Sequence, residues 1–490
     1  MKYFYLLLLI FCSFQSTCQV GIGTNNPDAS AVLELSSSTK GFLPTRMTAL
    51  QRNAISSPAQ GLVIYCTDCG TNGELQVYNG VEYTTATGGD RTLTPRSAMG
   101  NDLDGESIMD NYGVSTSLSS DGTKIAIGGF LNDGAGNDAG HVRVFEYISG
   151  SWTQMGSDIE GEAAGDWFGY SVSLSSNGTK LLVGAPKNDG NGTDAGHARV
   201  YEFSNGNWIQ LGNDIDGEAA NDLSGFSSDI SDDGLTIAIG AENNDGNGTD
   251  AGHIRVYTYS NNSWIQQGSD IEGEAVGDLF GYFVSLSSDG SIVAIGAPDN
   301  DGSGTDAGHI RVYKLTTGNW VQLGLDIDGE NAGDSFGSSL SLSSSGMALA
   351  AGAPDNDGNG SDAGHVRVFQ YNSGTWTQLG SDIDGETSGD RSGYFISLSA
   401  GGTIVAIGAL NNDGNGSNSG HVGVYEYISA TWTQLGADIN GEASGDQSGY
   451  SVSLSSDGSI VAIGAPINDG NNGSESGHVR VFNNLTTTGL

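Results

Sequence analysis

Apolar and polar residues alternate along most of the chain in short segments that recur at a fixed interval. From Phe168, "FGYSVSLS" alternates and turns through "SNG" into "TKLLVGAP", and a loop of Asp, Asn and Gly follows. Then come "GHARVYEF", a second "SNG" turn and "NWIQLG". Alternation over four to eight residues between Gly, Asn and Asp turns is typical of antiparallel strands. The pattern predicts a four-stranded antiparallel meander in each repeat.

The Gly-His pairs stand 56 residues apart five times and 57 once. Aligned on that period, seven repeats open at these residues: Tyr112, Phe168, Ser224, Phe280, Phe336, Ser392 and Ser448. A four-stranded sheet cannot bury both faces alone, so the repeats must stack on one another. The sequence therefore predicts an all-β fold, a seven-bladed β-propeller of four-stranded antiparallel blades.

The last repeat ends at "GHVRVFNNLTTTGL" and has no strand of the "NWIQLG" kind. The segment from Arg96 to Gly113, upstream of the first repeat, aligns with Trp152 to Gly169 at a shift of 56. We therefore expect an N-terminal strand at about 96–103 to complete the last blade and close the ring, because open sheet edges invite pairing with other chains. The propeller would span 96–490.

The segments before the propeller are of three kinds. The start, "MKYFYLLLLIFCSFQSTCQ", has the Lys, the short apolar run and the small polar residues of a Sec signal peptide, which we assign to 1–18; a lipid anchor on Cys18 is the alternative. Residues 19–89 predict a separate leader unit of mixed short strands, with a short helix near 48–55, and 90–95 a linker. No later stretch is apolar enough to span a membrane, so we expect an exported protein, secreted or on the outer cell surface of a bacterium.

The net charge of the chain limits the classes of partner that it can bind. With 58 acidic and 17 basic side chains the formal charge is −41, which excludes a nucleic-acid partner and argues against docking on an anionic membrane. In an up-and-down meander, the loop between the second and third strands and the link to the next blade lie at the same end. Those two segments hold most of the acids, so the sequence predicts one acidic face.

The link between repeats follows the pattern D-I-[D/E/N]-G-E-x-x-x-D, with carboxylates at its first, third, fifth and ninth positions. Oxygen ligands at such spacing on flexible loops are typical of Ca²⁺ sites. The candidate calcium ligands are Asp158, Glu160, Glu162, Asp166, Asp214, Asp216, Glu218, Asp222, Asp270, Glu272, Glu274, Asp278, Asp326, Asp328, Glu330 and Asp334. The alternative is solvated acidic loops with Asx turns and no cofactor.

Each repeat carries one histidine, and these seven are all the histidines of the chain: His141, His197, His253, His309, His365, His421 and His478. Equivalent blades would hold them far apart around a ring, so we interpret them as structural residues that bind a loop carboxylate or carbonyl of their own blade. For His197 the expected partners are Asp189 or Asp194. Arg199 and its copies should pair with acids too, and the repeated tryptophans should pack between blades rather than stack on sugar.

Cys66 and Cys69, in "YCTDCG", are the cysteines that remain after the signal peptide. In an oxidising compartment a small disulfide loop is the preferred interpretation. A redox pair lacks a βαβ context, and a zinc site lacks two further ligands nearby.

"FG" opening a repeat and "VGAP" closing its second strand, as in Phe168-Gly169 and 183–186, resemble the FG-GAP repeats of integrin α-subunits and of many bacterial secreted proteins. The integrin-type calcium loop between the first two strands is here shortened to "SSNGT" or "SSDGS", so that metal site does not carry over. The leader is similar to those of bacterial surface and fibre-like proteins. That resemblance implies an oligomer formed through 19–89.

The chain shows no Ser-His-Asp order, G-x-S-x-G or H-E-x-x-H, so we predict a protein that is not an enzyme. The first hypothesis is a secreted or surface binding and adhesion propeller whose acidic face takes up Ca²⁺ and a protein or glycan. The second is a surface scaffold without a specific ligand. The third, a glycan-acting hydrolase, predicts a pocket lined by residues that break the repeat, such as Trp167, Lys187 or Arg391.

Overall fold

The computed structural model describes residues 20–22, 33–35, 44–55, 58–59, 62–67, 69, 74–78, 83–85, 92–93, 96–470, 472–483 and 487–488. The chain divides into two compact units, Met1–Thr92 with Thr487–Leu490, and Leu93–Thr486. The predicted signal peptide lies outside the described residues. Among the described residues, no helix has the length and apolar character needed to span a bilayer.

The smaller unit is built of short strands and one short helix, Ala49–Asn53. A parallel pair joins Val20–Ile22 to Leu33–Leu35. A four-stranded sheet contains, in order, Arg46–Met47, Val63–Cys66, Glu74–Tyr78 and Tyr83–Thr85. Thr92–Leu93 pairs with Thr487–Thr488. Cys66 and Cys69 are joined by a disulfide, the pairing expected from their spacing.

The larger unit consists of seven sheets, which form the predicted β-propeller. Each of the first six is a meander of four antiparallel strands in chain order. The first strands are Ser115–Leu118, Ser171–Leu174, Ser227–Ile230, Phe283–Leu286, Ser339–Leu342, Ser392–Leu398 and Ser451–Leu454. The second strands are Lys124–Gly129, Lys180–Ala185, Thr236–Ala241, Ile292–Ala297, Ala348–Ala353, Ile404–Ala409 and Ile460–Ala465.

The third strand of each blade is the longest of its meander in most repeats, and the fourth lies at the outer edge. The third strands are His141–Ile148, His197–Ser204, His253–Ser260, His309–Thr316, His365–Asn372, His421–Ile428 and His478–Asn483. The fourth strands are Ser151–Gln154, Asn207–Gln210, Ser263–Gln266, Asn319–Gln322, Thr375–Gln378 and Thr431–Gln434. In the seventh blade Ser97–Ala98 takes this place and pairs with Phe482 and Asn483, so the predicted closing strand is confirmed.

A short fifth strand in each blade was not predicted. The link doubles back and pairs with the first two residues of the third strand, as Glu160 does with His141. The fifth strands are Ile159–Glu160, Ile215–Asp216, Ile271–Glu272, Ile327–Asp328, Ile383–Asp384, Ile439–Asn440 and, in the seventh blade, Leu103–Asp104. The fourth strand pairs only with the far half of the third, so the link completes the near half.

A ring of seven backbone hydrogen bonds closes the propeller around its axis. The bonds run from Ser120 N–H to the carbonyl of Ser176 (2.8 Å) and onward, blade by blade, until Ser456 N–H returns to the carbonyl of Ser120 (2.8 Å). They join the turns between the first and second strands. The closed ring that the 56-residue period predicts is therefore held together by backbone hydrogen bonds.

The core lies between adjacent blades. Second strands such as Lys180–Ala185 are buried from their second residue onward, because both faces of the blade pack against neighbours. Phe168 is fully buried and belongs to the same core cluster as Val142 of the first blade and Val183 of the second.

The glycines of "FG" and "GA" meet across each seam. A Cβ built on Gly184 would overlap the carbonyl oxygen of Gly225 in the next blade and lie 2.9 Å from its carbonyl carbon. Gly225 itself has φ of +91°, which favours glycine. Ser171 Oγ donates to the same carbonyl (2.9 Å). Glycine recurs at both positions because two backbones touch there.

Candidate functional site

The acidic loops and links lie together at one end of the ring. Asn191, in the loop between the second and third strands, donates from Nδ2 to the carbonyl of Gly217 in the following link (2.8 Å). In the blade before it, Gly165 N–H in the link donates to the carbonyl of Asn137 in the loop (2.9 Å). The turns at the other end form the axial ring described above. The charge therefore gathers on one face, as the parity of the strands indicates.

The ninth carboxylate of each link stabilises the loop. Asp166 is buried and accepts hydrogen bonds from the N–H of Ala163 (3.1 Å) and from Nδ2 of Asn188 (2.9 Å). Burial nevertheless raises the pKa of this carboxyl. The same buried arrangement recurs at Asp222, Asp278 and Asp334.

The expected pairing of His197 with Asp189 or Asp194 stays a prediction. Asp189 Oδ1 accepts from the N–H of Asp194 (2.9 Å), whose φ of 51° is left-handed, so these two residues form a turn at the tip of their loop. The carboxylates beside the His197 ring are Glu162, from the preceding link, and Asp214, from the link that follows.

Arginines two residues after the histidines pair with the fifth carboxylate of the preceding link. Arg199 contacts Glu162 and makes two hydrogen bonds to Asp214, of 2.8 and 2.7 Å. Equivalent ion pairs join Arg143 to Glu106, Arg255 to Glu218, Arg311 to Glu274, Arg367 to Glu330 and Arg480 to Glu442. The sixth repeat has Gly423 at this position. Each pair crosses from one blade to the next and ties the ring together.

The four carboxylates of one link thus have four different environments. The first accepts from the Gln of the preceding strand, at Asp158, Asp214, Asp270 and Asp326. The third lies on the fifth strand opposite the histidine, at Glu160, Asp216, Glu272 and Asp328. The carboxylate at the fifth position of the link reaches an arginine of the next blade, and the carboxylate at the ninth position is buried. The arrangement of one link around one cation, which the spacing predicted, is not what the structure shows, and calcium binding stays a prediction.

The side chains of the seven histidines are buried. Burial lowers the pKa of His141, His197, His253 and His309 to about 4, with the neighbouring arginine acting in the same direction. Among the described residues, seven groups of possible metal ligands have their ligand atoms within 4.8 Å of one another, and five of them are Asp102, Glu442 and His478; Glu106, His141 and Asp158; Glu162, His197 and Asp214; Glu218, His253 and Asp270; and Glu274, His309 and Asp326. Each of these five groups joins residues of two consecutive links around the histidine between them.

The tryptophans of the outer strands hold adjacent blades together. Trp208 donates from Nε1 to the carbonyl of Met155 in the preceding blade (2.8 Å), and Trp264 donates to Leu211 in the same way (2.8 Å). Trp152, Trp320, Trp376 and Trp432 make the corresponding bond. Packing between blades, expected for these residues, is confirmed.

A cavity of about 370 Å³ opens on the axis at the acidic end. Its wall is formed by the beginnings of the first strands, together with the residues that follow the second strands, such as Asp299 and Asp355, and the ends of links, such as Ser335 and Arg391. This volume lies in the range of small-molecule sites. Sequence reasoning missed the cavity, because it exists only where seven first strands converge.

Aromatic rings line much of this axial cavity. Five of them occupy the position after the "FG" or "SG" glycine, and the phenylalanines at the next position of the fourth and sixth repeats line the cavity too: Tyr170, Phe226, Tyr282, Tyr394 and Tyr450, with Phe283 and Phe395. Neighbouring rings are in contact, with centroids 4.9 Å apart for Tyr170 and Phe226 and 5.2 Å for Phe226 and Tyr282. Burial raises the pKa of Tyr170 and Tyr282, so both hydroxyls stay protonated. The fifth repeat has Ser338 at this position, which interrupts the aromatic wall.

Polar side chains line the cavity near Ser338, where the row of aromatic rings is interrupted. Arg391 Nη2 pairs with Asp355, which also accepts from Ser335 Oγ (3.1 Å). Burial and neighbouring carboxylates raise the pKa of Asp299. Across the mouth, Lys187 Nζ lies 3.5 Å from the centroid of Trp167. Trp167, Lys187 and Arg391 are the residues that break the repeat. Of these three Arg391 lines the cavity, while Trp167 stacks on the lining residue Tyr170.

A comparison of the seven repeats with one another carries the signal that would have located this site. The position after "FG" reads Val114, Tyr170, Phe226, Tyr282, Ser338, Tyr394 and Tyr450, and the last link residue and the residue after "AP" vary as well. The histidine, the glycines of the seams and the ninth carboxylate do not vary. Differences among otherwise equal repeats therefore mark the axial cavity.

Two family models match the sequence. Residues 160–201 and 440–482 match the FG-GAP repeat, and residues 21–101 match a phage tail like trimerisation region. No curated protein matches the chain. Among solved structures, the hydrazine synthase of Kuenenia stuttgartiensis is similar, with 15% identity, a TM-score of 0.49, and coverage of 79% of this chain and 97% of that chain.

Proposed function

Because the chain is an FG-GAP-repeat β-propeller protein, we propose that it is an exported, non-enzymatic binding protein that takes a saccharide in its axial cavity. The observation that carries the proposal is the composition of the cavity wall. Seven aromatic residues, several serines and the Arg391–Asp355 pair line one cavity at the acidic end of the ring. A β-propeller fold does not by itself indicate which ligand a protein binds, so the proposal rests on the residues that line the axial cavity.

The chemistry of the wall suits a sugar. A saccharide presents apolar C–H faces, which pack on aromatic rings, and hydroxyl edges, which need fixed donors and acceptors. Tyr282 and Tyr394 flank the gap at Ser338, where Asp299, Asp355 and Arg391 supply those polar partners. Apolar and polar walls therefore face each other across the same cavity.

The test is binding of the purified mature chain to an array of defined immobilised oligosaccharides. Tyr394→Ser and Tyr282→Ser reproduce a residue that the fifth repeat already carries at this position, so the fold should persist. We expect each to weaken binding by more than about tenfold, which corresponds to the roughly 1–3 kcal/mol of a lost aromatic contact. Ile209→Ser, on an exposed outer strand, is the matched control and should bind like wild type. Absence of any bound glycan, or equal binding by the cavity variants, contradicts the proposal.

A glycan-acting hydrolase is the second candidate, favoured by one observation. Two carboxyl groups of the cavity have different environments: Asp355 is paired with Arg391, whereas burial and neighbouring carboxylates raise the pKa of Asp299. A carboxyl whose pKa is raised suits the role of general acid. Release of 4-methylumbelliferone from a panel of its glycosides, abolished in Asp299→Asn, would favour the hydrolase. Binding without turnover would favour the non-enzymatic protein.

The leader supports two further parts of the proposal. We infer that residues 1–18 direct export, so N-terminal sequencing of the secreted protein should begin at Gln19. We also infer that 19–89 assembles the chain into a trimer, which the match of 21–101 to a phage tail like trimerisation region supports. Light scattering of the mature protein should then give three times the mass of one chain, and a monomeric mass would contradict the inference.

A further inference from the structure

We propose that Glu106, His141 and Asp158 form a binding site for a divalent transition-metal ion such as Zn²⁺. The three residues come from different segments. Glu106 lies in the link that enters the first blade, His141 begins the third strand of that blade, and Asp158 immediately precedes the fifth strand. Pairing of Ile159 with Val142 and of Glu160 with His141 brings the second link alongside the histidine. One ligand atom of each residue lies within 4.8 Å of the others.

His141 supplies an observation independent of the carboxylates. Its side chain is fully buried, and within the described residues neither of its ring nitrogens has a hydrogen-bond partner. Whichever nitrogen belongs to the group of three is therefore an unsatisfied buried polar atom facing two carboxylates.

Packing holds the imidazole in place. The ring of Tyr112 stands edge-on to it, with centroids 5.8 Å apart. A Cβ built on Gly129 would lie 3.1 Å from Nε2, so that edge of the ring lies against the second strand. In the seventh blade the equivalent ring turns Nδ1 toward a carboxylate, with His478 Nδ1 4.0 Å from Glu442 Oε2. Nδ1 is therefore the nitrogen that we assign as the ligand of His141.

The second blade shows the same group closed by a side chain. There Arg199 contacts Glu162 and donates two hydrogen bonds to Asp214, so the guanidinium occupies the carboxylates beside His197. In the first blade Arg143 pairs with Glu106 and donates to the carbonyl of Asp104, while Asp158 accepts from Gln154. The guanidinium does not bridge the two carboxylates of the first group. The first blade therefore holds the candidate metal site, whereas in the equivalent site of the second blade the guanidinium of Arg199 already occupies both carboxylates.

The donor set selects the class of ion. Ca²⁺ takes six to eight oxygen ligands, whereas one imidazole with two carboxylates suits Zn²⁺, Co²⁺ or Mn²⁺. Glu106 is exposed and Asp158 is partly exposed, so an ion can enter and keep water in its remaining positions. The site differs from the predicted calcium loop both in its ligands and in drawing them from two links.

Histidine-selective ¹⁵N labelling tests the proposal, because each of the seven histidines belongs to a different repeat. The full mature chain, stripped with EDTA, is titrated with ZnCl₂ and separately with CaCl₂. We expect Zn²⁺ to shift the imidazole ¹⁵N resonances of His141, to leave those of His197 unchanged, and Ca²⁺ at the same concentrations to shift neither. His141→Gln and His197→Gln assign the two signals.

The carboxylates are tested in the same spectra. Glu106→Gln with Asp158→Asn should weaken the Zn²⁺ response of His141 by more than about tenfold and leave the other histidines as they were. Circular dichroism and thermal unfolding without metal check the fold, and Asp158→Asn alone replaces the double variant if that chain does not fold. An unshifted His141, an undiminished response in the variant, or an equal response to Ca²⁺ would overturn the proposal.

Discussion

The seam between blades makes a quantitative prediction for Gly184→Ala. Gly184 has ordinary strand geometry, so alanine brings no backbone strain and the whole effect comes from the new Cβ. That atom would overlap the carbonyl oxygen of Gly225 and lie 2.9 Å from its carbonyl carbon. Carbon atoms approach each other without repulsion at about 3.5–4.0 Å, and the carbonyl oxygen lies closer to the new Cβ than the carbonyl carbon does, so the two blades must separate by more than roughly 1 Å.

The cost of that separation has two parts. Overpacking of a tight interior costs about 1–3 kcal/mol. Moving Gly225 also weakens the hydrogen bond from Ser171 Oγ to its carbonyl (2.9 Å), a net loss of about 1 kcal/mol. We therefore expect the free energy of unfolding to fall by about 3 kcal/mol. For a unit of this size the melting temperature should fall by about 4 °C.

Differential scanning calorimetry of the full chain measures this shift, and the matched control is Gly401→Ala. The nearest atom to a Cβ on Gly401 is Thr403 Oγ1 at 3.7 Å, an ordinary contact. The control should melt within about 1 °C of wild type, since the change touches no tight contact. A melting temperature of Gly184→Ala equal to that of the control would refute the reasoning that the two glycines are required by contact between blades.

Three further predictions concern protonation and the outer strands. The free energy of unfolding should fall as the pH drops from about 6.5 toward 4, because histidines bind protons there in the unfolded chain, whereas in the fold the pKa of His141, His197, His253 and His309 is about 4. Each of these histidines lowers the free energy of unfolding by up to roughly 3 kcal/mol over this range. Urea unfolding midpoints that do not change between pH 7 and 4.5 would contradict this prediction. Glu242→Gln should raise the melting temperature at pH 9 but not at pH 5. Burial and Asp299 raise the pKa of Glu242 from 4.5 to about 8, and within the described residues its Oε2 has no hydrogen-bond partner. Stability is therefore lost as the pH rises from about 4.5, where the unfolded carboxyl ionises, to about 8, and the loss is complete at pH 9; equal shifts at both pH values would be evidence against that assignment. Trp264→Phe removes the donor to the carbonyl of Leu211 and should cost about 1 kcal/mol in chemical denaturation, whereas no loss would mean that the indole contributes by packing alone.

The fold could be predicted from the sequence to a large extent because its determinants are local and repeated. Strand alternation, turn residues and the 56-residue period depend on neighbours along the chain, and the shift that relates Arg96 to Trp152 was enough to identify the closing strand. The short fifth strand escaped prediction. Two residues such as Ile159 and Glu160 carry no periodicity, and their pairing depends on the free half of a strand that is distant in sequence.

The sites divide in the same way. That the acids share one end follows from strand order, so the sequence determined the acidic face, the even spacing of the histidines and the pairing of the arginines with acids. The carboxylates that lie beside His197 could not be identified from the sequence, because each link crosses from one blade to the next and its first and fifth carboxylates therefore reach different histidines.

Tertiary structure alone decided which groups converge. Seven side chains that lie 56 residues apart, from Val114 to Tyr450, meet on the axis only when the ring closes, and their differences create a cavity with one aromatic and one polar side. In the same way, the placement of Arg199 between two carboxylates closes one histidine site, while that of Arg143 leaves its equivalent open. The sequence encodes seven nearly identical repeats, and closure of the ring brings the residues that differ among them together in one cavity.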